Sequence, residues 1–248
     1  TYCENDGVNM VDPSGHRRYA TEQELAGMSL KLQEYYNAIL KQSKMRNSPK
    51  ITEKSQTTTK SKVKKESKVY AVAASDTGQH AVTFKKKYQM CNAKYIRDFL
   101  LKKKWTLNAI CGALGNIWQE SRMNPGAWEV WRNVSCGYGI VQWTPATNYL
   151  NNVGYSVDRV NELANNNAKE LMNSQLNYLL KSAKSGSWIP TLRFHCKIKM
   201  KFNEYKKSKK KAYDLAFIFH ASYERSGDDL NTIKKRAKKA REYYKKLK

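Results

Sequence analysis

Asn116-Ile117-Trp118-Gln119-Glu120-Ser121-Arg122-Met123-Asn124-Pro125-Gly126-Ala127-Trp128, followed by Cys136-Gly137-Tyr138-Gly139-Ile140-Val141-Gln142-Trp143-Thr144-Pro145, is the stretch on which the reading of this chain turns. Upstream of it Leu107, Ile110, Leu114, Ile117 and Trp118 recur at steps of three and four, the period of a helix with an apolar stripe. Thr106 has the chemistry of an N-cap for that helix, and Pro125, which disfavours the α conformation in Asn124, is its expected stop. Glu120 therefore stands at the end of an apolar helix, among Ile117, Trp118 and Met123.

A carboxyl in such surroundings is a candidate proton donor, because apolar neighbours disfavour its charged form and raise its pKa toward neutrality. Cleavage of a glycosidic bond needs such a donor at the leaving oxygen. The following segment holds what a sugar polymer needs. Gly137 and Gly139 let the backbone approach closely, Tyr138 and Trp143 carry flat faces for pyranose rings, and Gln142 offers an amide donor and acceptor. Residue types alone leave a bland alternative open: a solvated Glu near a helix end, with the aromatics in the core.

Helical patterning continues on both sides. One helix is expected to start at Asn92 or Ala93 and to carry Tyr95, Ile96, Phe99 and Leu100. Others are expected over 146–153, over 156–180 with an irregularity at Asn165-Asn166-Asn167, over 209–223 and over 229–247. Residues 83–248 thus read as one mainly α domain. Residues 46–82 are rich in Lys, Ser, Thr and Gln and read as a disordered linker, with Val69–Ala74 either a short strand or its end. Residues 1–45 combine two turns, at Asn5-Asp6-Gly7 and Asp12-Pro13-Ser14-Gly15, with one amphipathic helix capped by Thr21 and Glu24.

The 46 Lys and Arg residues against 21 Asp and Glu give a formal charge of +25. That field attracts polyanions, which include nucleic acid, anionic lipid and the anionic polymers of a bacterial wall. Five cysteines show neither CxxC nor a Cys/His spacing suited to zinc, so buried thiols are expected, with one bridge among the last four left open. No metal or other cofactor is expected. No run has the length of a membrane-spanning helix, no signal peptide opens the chain, and Thr1 starts inside what reads as a motif; a fragment of a longer protein is expected.

The ordered run Asn92-Ala93-Lys94-Tyr95-Ile96, Trp105 through Ser121, Asn124 through Trp128 and Gly137 through Thr147 closely resembles the phage tail lysozyme domain. The resemblance resumes at Gln175-Leu176, Tyr178-Leu179, Trp188-Ile189 and Tyr223-Glu224-Arg225. It implies a lysozyme-like helical fold and cleavage of the β-1,4 bond between N-acetylmuramic acid and N-acetylglucosamine in peptidoglycan. Glu120 would be the general acid, with Ser121, Tyr138, Gly139, Gln142, Trp143 and Glu224 contacting substrate. Glu129, Asp158 and Glu224 are open candidates for a second carboxylate; for Glu224 an ion pair with Arg225 or a nearby Lys is an equal alternative. Without a second carboxylate, hydrolysis and attack by the muramyl 6-hydroxyl both stand. Ser226 replaces the Pro usual after Tyr-Glu-Arg, and the segment between Trp188 and Asp214 is unusually basic, which bears on the rim of the cleft.

Tyr2-Cys3-Glu4-Asn5-Asp6-Gly7-Val8-Asn9-Met10-Val11-Asp12-Pro13-Ser14-Gly15-His16 resembles the end of the Rhs (YD-repeat) core, with Asp6-Gly7 in place of the usual Asn-Pro. That implies a secreted or surface-displayed parent protein with a toxin at its C-terminus, and hence an immunity protein. The alternatives are a nucleic-acid-attacking toxin and a wall-binding module without activity. His195 and His220 lack acidic or His partners at the spacing of nuclease motifs, so no nucleic acid is expected as partner. The Lys234–Lys248 tail reads as a helix with a solvated basic face that would also hold the protein on an anionic wall.

Overall fold

The computed structural model describes residues 70–74 and 84–248. The chain divides into two units, residues 1–66 and 67–248, and every described residue belongs to the second. The Rhs-like edge, the capped helix after it and most of the Lys/Ser/Thr-rich segment lie outside the described residues.

The described part is helical and, among the described residues, contains no strand. Helix α1 is Lys86–Lys102, α2 Leu107–Ser121, α3 Thr147–Val153, α4 Val157–Asn166, α5 Ala168–Ser182, α6 Phe202–Lys207, α7 Ala212–Phe219 and α8 Leu230–Leu247. Single wide turns of π type follow α5, at Ala183–Ser187, and α7, at His220–Glu224. The mainly α expectation holds.

Helix α2 runs through the middle. Every residue from Ala109 to Ile117 is buried, so it has neighbours all round: α8 and α7 above all, with α1 beside it. Its small residues permit this. A Cβ on Gly115 would come 2.9 Å from Ala240 Cβ of α8, closer than real side chains come. Thr106 caps the helix as its chemistry demands, accepting from Ala109 N–H at 3.2 Å. The helix ends at Ser121, short of the Pro125 stop. Arg122 takes the left-handed conformation (φ 52°), and its own guanidinium donates to the carbonyls of Trp118 and Gln119. The side chain thus satisfies carbonyls that an ended helix leaves open.

Other boundaries shift for similar local reasons. α1 begins at Lys86 rather than at Asn92, because its first turns lie at the surface and its buried face starts only at Asn92 and Ala93. The expected helix over 156–180 is two helices, α4 and α5, broken at Asn167, whose side chain caps α5 through Glu170 N–H. α6 was not anticipated from the sequence. It carries Phe202 and Tyr205 from the basic segment into an aromatic cluster with Trp105, Trp188 and Phe219, while lysines such as Lys197, Lys199 and Lys209–Lys211 stay exposed. α8 puts Ile233, Ala237, Ala240, Tyr243 and Leu247 into the core and most of its lysines outward.

Tyr70–Ala74 forms no strand. It is held by side-chain amides: Asn92 bonds both Val72 N–H and Val72 C=O, and Asn124 bonds Ala74 in the same way. Cys91, Cys111 and Cys196 are free thiols. No helix among the described residues is long and apolar enough to cross a membrane.

Candidate active site

Three segments meet at the C-terminal end of α2: the helix end itself, the irregular ribbon 124–145, and the turn 220–229 between α7 and α8. Between them lies a cleft of about 900 Å³, lined by Glu120, Glu129, Gln142, Trp143, Tyr223 and Glu224 among others. The ribbon is built by paired backbone bonds, with Glu129 N–H donating to Gly137 C=O at 2.8 Å and Gly139 N–H to Ala127 C=O at 2.8 Å. Ser121 anchors the ribbon to α2, its hydroxyl donating to Ile140 C=O at 3.0 Å.

Glu120 sits in a charge network centred on α8. The Arg236 guanidinium, only 2 % exposed, reaches Glu120 Oε1 with Nη1 at 2.6 Å and donates through Nε to Asp228 Oδ2 at 2.9 Å. A second contact joins Nη2 to the same Asp228 oxygen. A buried guanidinium needs such partners, since an uncompensated charge out of water is costly. Asp228 also lies 3.7 Å from His220 Nε2, which bonds Ser226 Oγ at 2.9 Å. Burial first, then the charge of Arg236, push the His220 imidazole down to about 4, so it is neutral in the folded protein. Ser226, standing where Pro is usual, supplies a hydroxyl that Pro lacks.

Glu224 is the second carboxyl beside Glu120. Burial and then the charge of Glu120 push its pKa well above the usual carboxylate range, more strongly than Arg236 opposes it. Its Oε1 accepts no hydrogen bond among the described residues. The anticipated pairing with Arg225 does not form: that guanidinium is spent on the carbonyls of Ser187, at 2.5 Å, and Ser222, at 2.9 Å.

The residues anticipated to contact substrate separate into two groups. Gln142, Trp143 and Glu224 line the cleft with Glu120. Gln142 is locked by its amide nitrogen, which donates to Ala127 C=O at 3.1 Å and Gly139 C=O at 2.8 Å. Trp143 is nearly buried, stacked on Tyr149 with its indole N–H on Tyr223 Oη at 3.1 Å. It forms a wall more than an open platform. Ser121, Tyr138 and Gly139 do not line the cleft. Tyr138 is fully buried between Trp128 and Tyr149, so its face is not presented to a ring in the cleft. Gly139, at φ +85°, lies against Gln175, whose amide bonds Ile140 N–H and Pro125 C=O. These three residues shape the cleft from behind. Asp158 is elsewhere, paired with Arg132 at 2.6 Å on the surface. Among the described residues no group of three His, Cys, Asp or Glu side chains is placed to hold a metal ion.

Arg236 and Asp228 were missed. Arg236 looked like one more cation in a basic tail; the available signal was its register, three residues after Ile233 and four before Ala240 on the apolar stripe.

Residues 91–247 match the family described as phage tail lysozyme, well over half of the chain. The chain belongs to the phage tail lysozyme family. The matched span runs from α1 to the last residue of α8 and so encloses the whole cleft. This phage tail lysozyme domain is also 46 % identical over 136 residues to morphogenesis protein 1 of Bacillus phage B103, covering 54 % of this chain and 33 % of that protein. The chain thus spans about a third of that curated relative.

Proposed function

We propose that this lysozyme-like domain cleaves the β-1,4 bond between N-acetylmuramic acid and N-acetylglucosamine in peptidoglycan, with Glu120 donating a proton to the leaving oxygen. The observation that carries the reading is the position of Glu120: the end of a buried helix, on the wall of a large cleft, oriented by Arg236, in a chain of a lysozyme family. Beside this carboxyl, burial and then the charge of Glu120 raise the pKa of Glu224, so a proton is held more tightly in this cleft than on an ordinary carboxylate. General acid catalysis draws on such a proton. The same donor serves whether the freed carbon is taken by water or by the muramyl 6-hydroxyl.

The resemblance of Tyr2–His16 to the end of an Rhs core supports delivery of the enzyme as the C-terminal payload of a secreted Rhs-type protein that acts at the cell wall, with an immunity protein as partner. The exposed lysines of α8 and of the basic segment supply a surface for anionic wall polymers.

Purified sacculi incubated with wild type and with Glu120→Gln test the reading. Wild type is expected to release muropeptides, and the variant to fall at least ~100-fold, the usual contribution of a positioned acid. Equal release by both, or none by wild type, defeats it. Degradation of plasmid DNA that survives Glu120→Gln would favour the nuclease alternative.

A further inference from the structure

We propose that Glu129 is the second catalytic carboxylate of this cleft, holding the attacking water. The inference rests on the glycosidase reading above.

Four acidic side chains other than Glu120 come into question, and the structure gives three of them other work. Asp158 lies on the surface in an ion pair with Arg132. Asp228 is taken up by Arg236. Glu224 has its Oε1 shut off from water, and that burial above all pushes its carboxyl toward the neutral form, which is a poor base. Glu129 remains. It lines the cleft from the ribbon, whereas Glu120 reaches it from α2, and it is open to water.

Its geometry is fixed twice over. The Glu129 backbone N–H donates to Gly137 C=O, and the Gly137 N–H donates back to Glu129 Oε2 at 2.7 Å. Gln142 stands at the same spot. A Cβ on Gly137 would be 3.0 Å from Glu129 Oε2 and 3.0 Å from Gln142 Oε1. Two acceptor oxygens therefore converge over Gly137, and only a glycine leaves room for both. Gln142 cannot turn its amide nitrogen into this space, because that nitrogen is committed to Ala127 and Gly139. Its Oε1 accepts no hydrogen bond among the described residues. That oxygen is itself shut off from solvent, so Gln142 backs the carboxylate, and the water is bound by Glu129 on its open side.

The step balances. A water O–H bond breaks and its proton passes to Glu129; the water oxygen bonds the anomeric carbon; that carbon releases the glycosidic oxygen, which takes the proton from Glu120. The products are a muramyl reducing end and a free 4-hydroxyl. Glu129 loses and Glu120 regains a proton through solvent to close the cycle.

Sacculi digested in ¹⁸O-labelled water test this, with wild type, Glu129→Gln and Glu129→Ala of the whole chain. Wild type is expected to release muropeptides with reducing ends that carry one ¹⁸O. Glu129→Gln keeps an oxygen to accept from Gly137 N–H but takes no proton, so kcat is expected to drop 10²–10⁴-fold with KM little changed, at unaltered thermal stability. Azide, which needs no base, is expected to restore turnover of Glu129→Ala and to yield a glycosyl azide. Wild-type kcat in Glu129→Gln would show that the hydrogen bond to Gly137 is all that matters, and would overturn the proposal. So would 1,6-anhydro ends without label. A wild-type protein that releases nothing contradicts the glycosidase reading itself, a separate outcome.

Discussion

Arg236 holds two acidic side chains while itself almost removed from water. Its replacement by Met leaves Glu120 and Asp228 crowded near Glu224 with no counter-charge. Breaking a buried ion pair from one side costs about 3–5 kcal/mol, so Arg236→Met is expected to lower the denaturation free energy by that order, measured by urea unfolding. Arg236→Lys keeps the charge but loses the fork that spans both carboxylates, and its cost should fall between the two. The same residue shows where sequence reading stops. Glu120 was legible because it ends an apolar helix, a local pattern, although the folded chain sets its carboxylate against the charge of Arg236 rather than among apolar neighbours alone. Arg236 was not, because Glu120 is 116 positions away and only its register on the apolar stripe of α8 sets it apart from the lysines around it. Tyr138 erred in the opposite direction. A Gly-Tyr-Gly segment looks like an exposed platform, but three aromatic rings close over one another and bury it.

Helix α2 owes its place to glycine and alanine on the sides that meet α7 and α8. Gly115→Val puts branched carbons where Ala240 Cβ would already be only 2.9 Å from a single Cβ. Overpacking of this kind costs ~1–3 kcal/mol or more, and because the strain spreads α2 from α8 it should also loosen the Glu120–Arg236 pair. The expectation is a lowered Tm and a larger loss of muropeptide release than the fall in folded fraction explains. A variant with wild-type Tm would contradict the close approach. The helices themselves were readable from spacing, and Thr106 caps α2 as its chemistry predicts; in the folded chain Ser156 and Asp229 cap α4 and α8 in the same way. What misled were ends set by side chains, such as Arg122 folding back on the last turn of α2, and α6, whose Phe202 and Tyr205 are hidden among lysines.

At the scale of the whole molecule, stability should depend on pH through two groups of opposite sign. The His220 imidazole is neutral when folded down to about 4, while the unfolded chain takes up a proton below about 6.5. The unfolded state thus binds more protons between these values, and stability falls as pH drops through them, by on the order of 3 kcal/mol. Glu224 acts the other way. Its folded pKa is raised, so the folded state binds the extra proton and stability falls as pH rises above the ordinary carboxylate value. Glu224→Gln removes the second slope, and its urea-unfolding free energy should decline more steeply than that of wild type from pH 6.5 to 4. An equal or shallower decline would contradict the burial assigned to these groups. Both depend on the cleft being closed by α8, a contact across the length of the domain that only the folded chain reveals.

The cleft beside Glu120 is expected to be where peptidoglycan is cut. A crystal structure of Glu120→Gln with a tetrasaccharide of alternating N-acetylglucosamine and N-acetylmuramic acid checks this. An intact sugar chain is expected in the cleft, with a glycosidic oxygen within hydrogen-bond distance of residue 120 and the next ring toward Glu129. A sugar bound on another face of the domain, or a chain cut in the crystal despite the substitution, would contradict it.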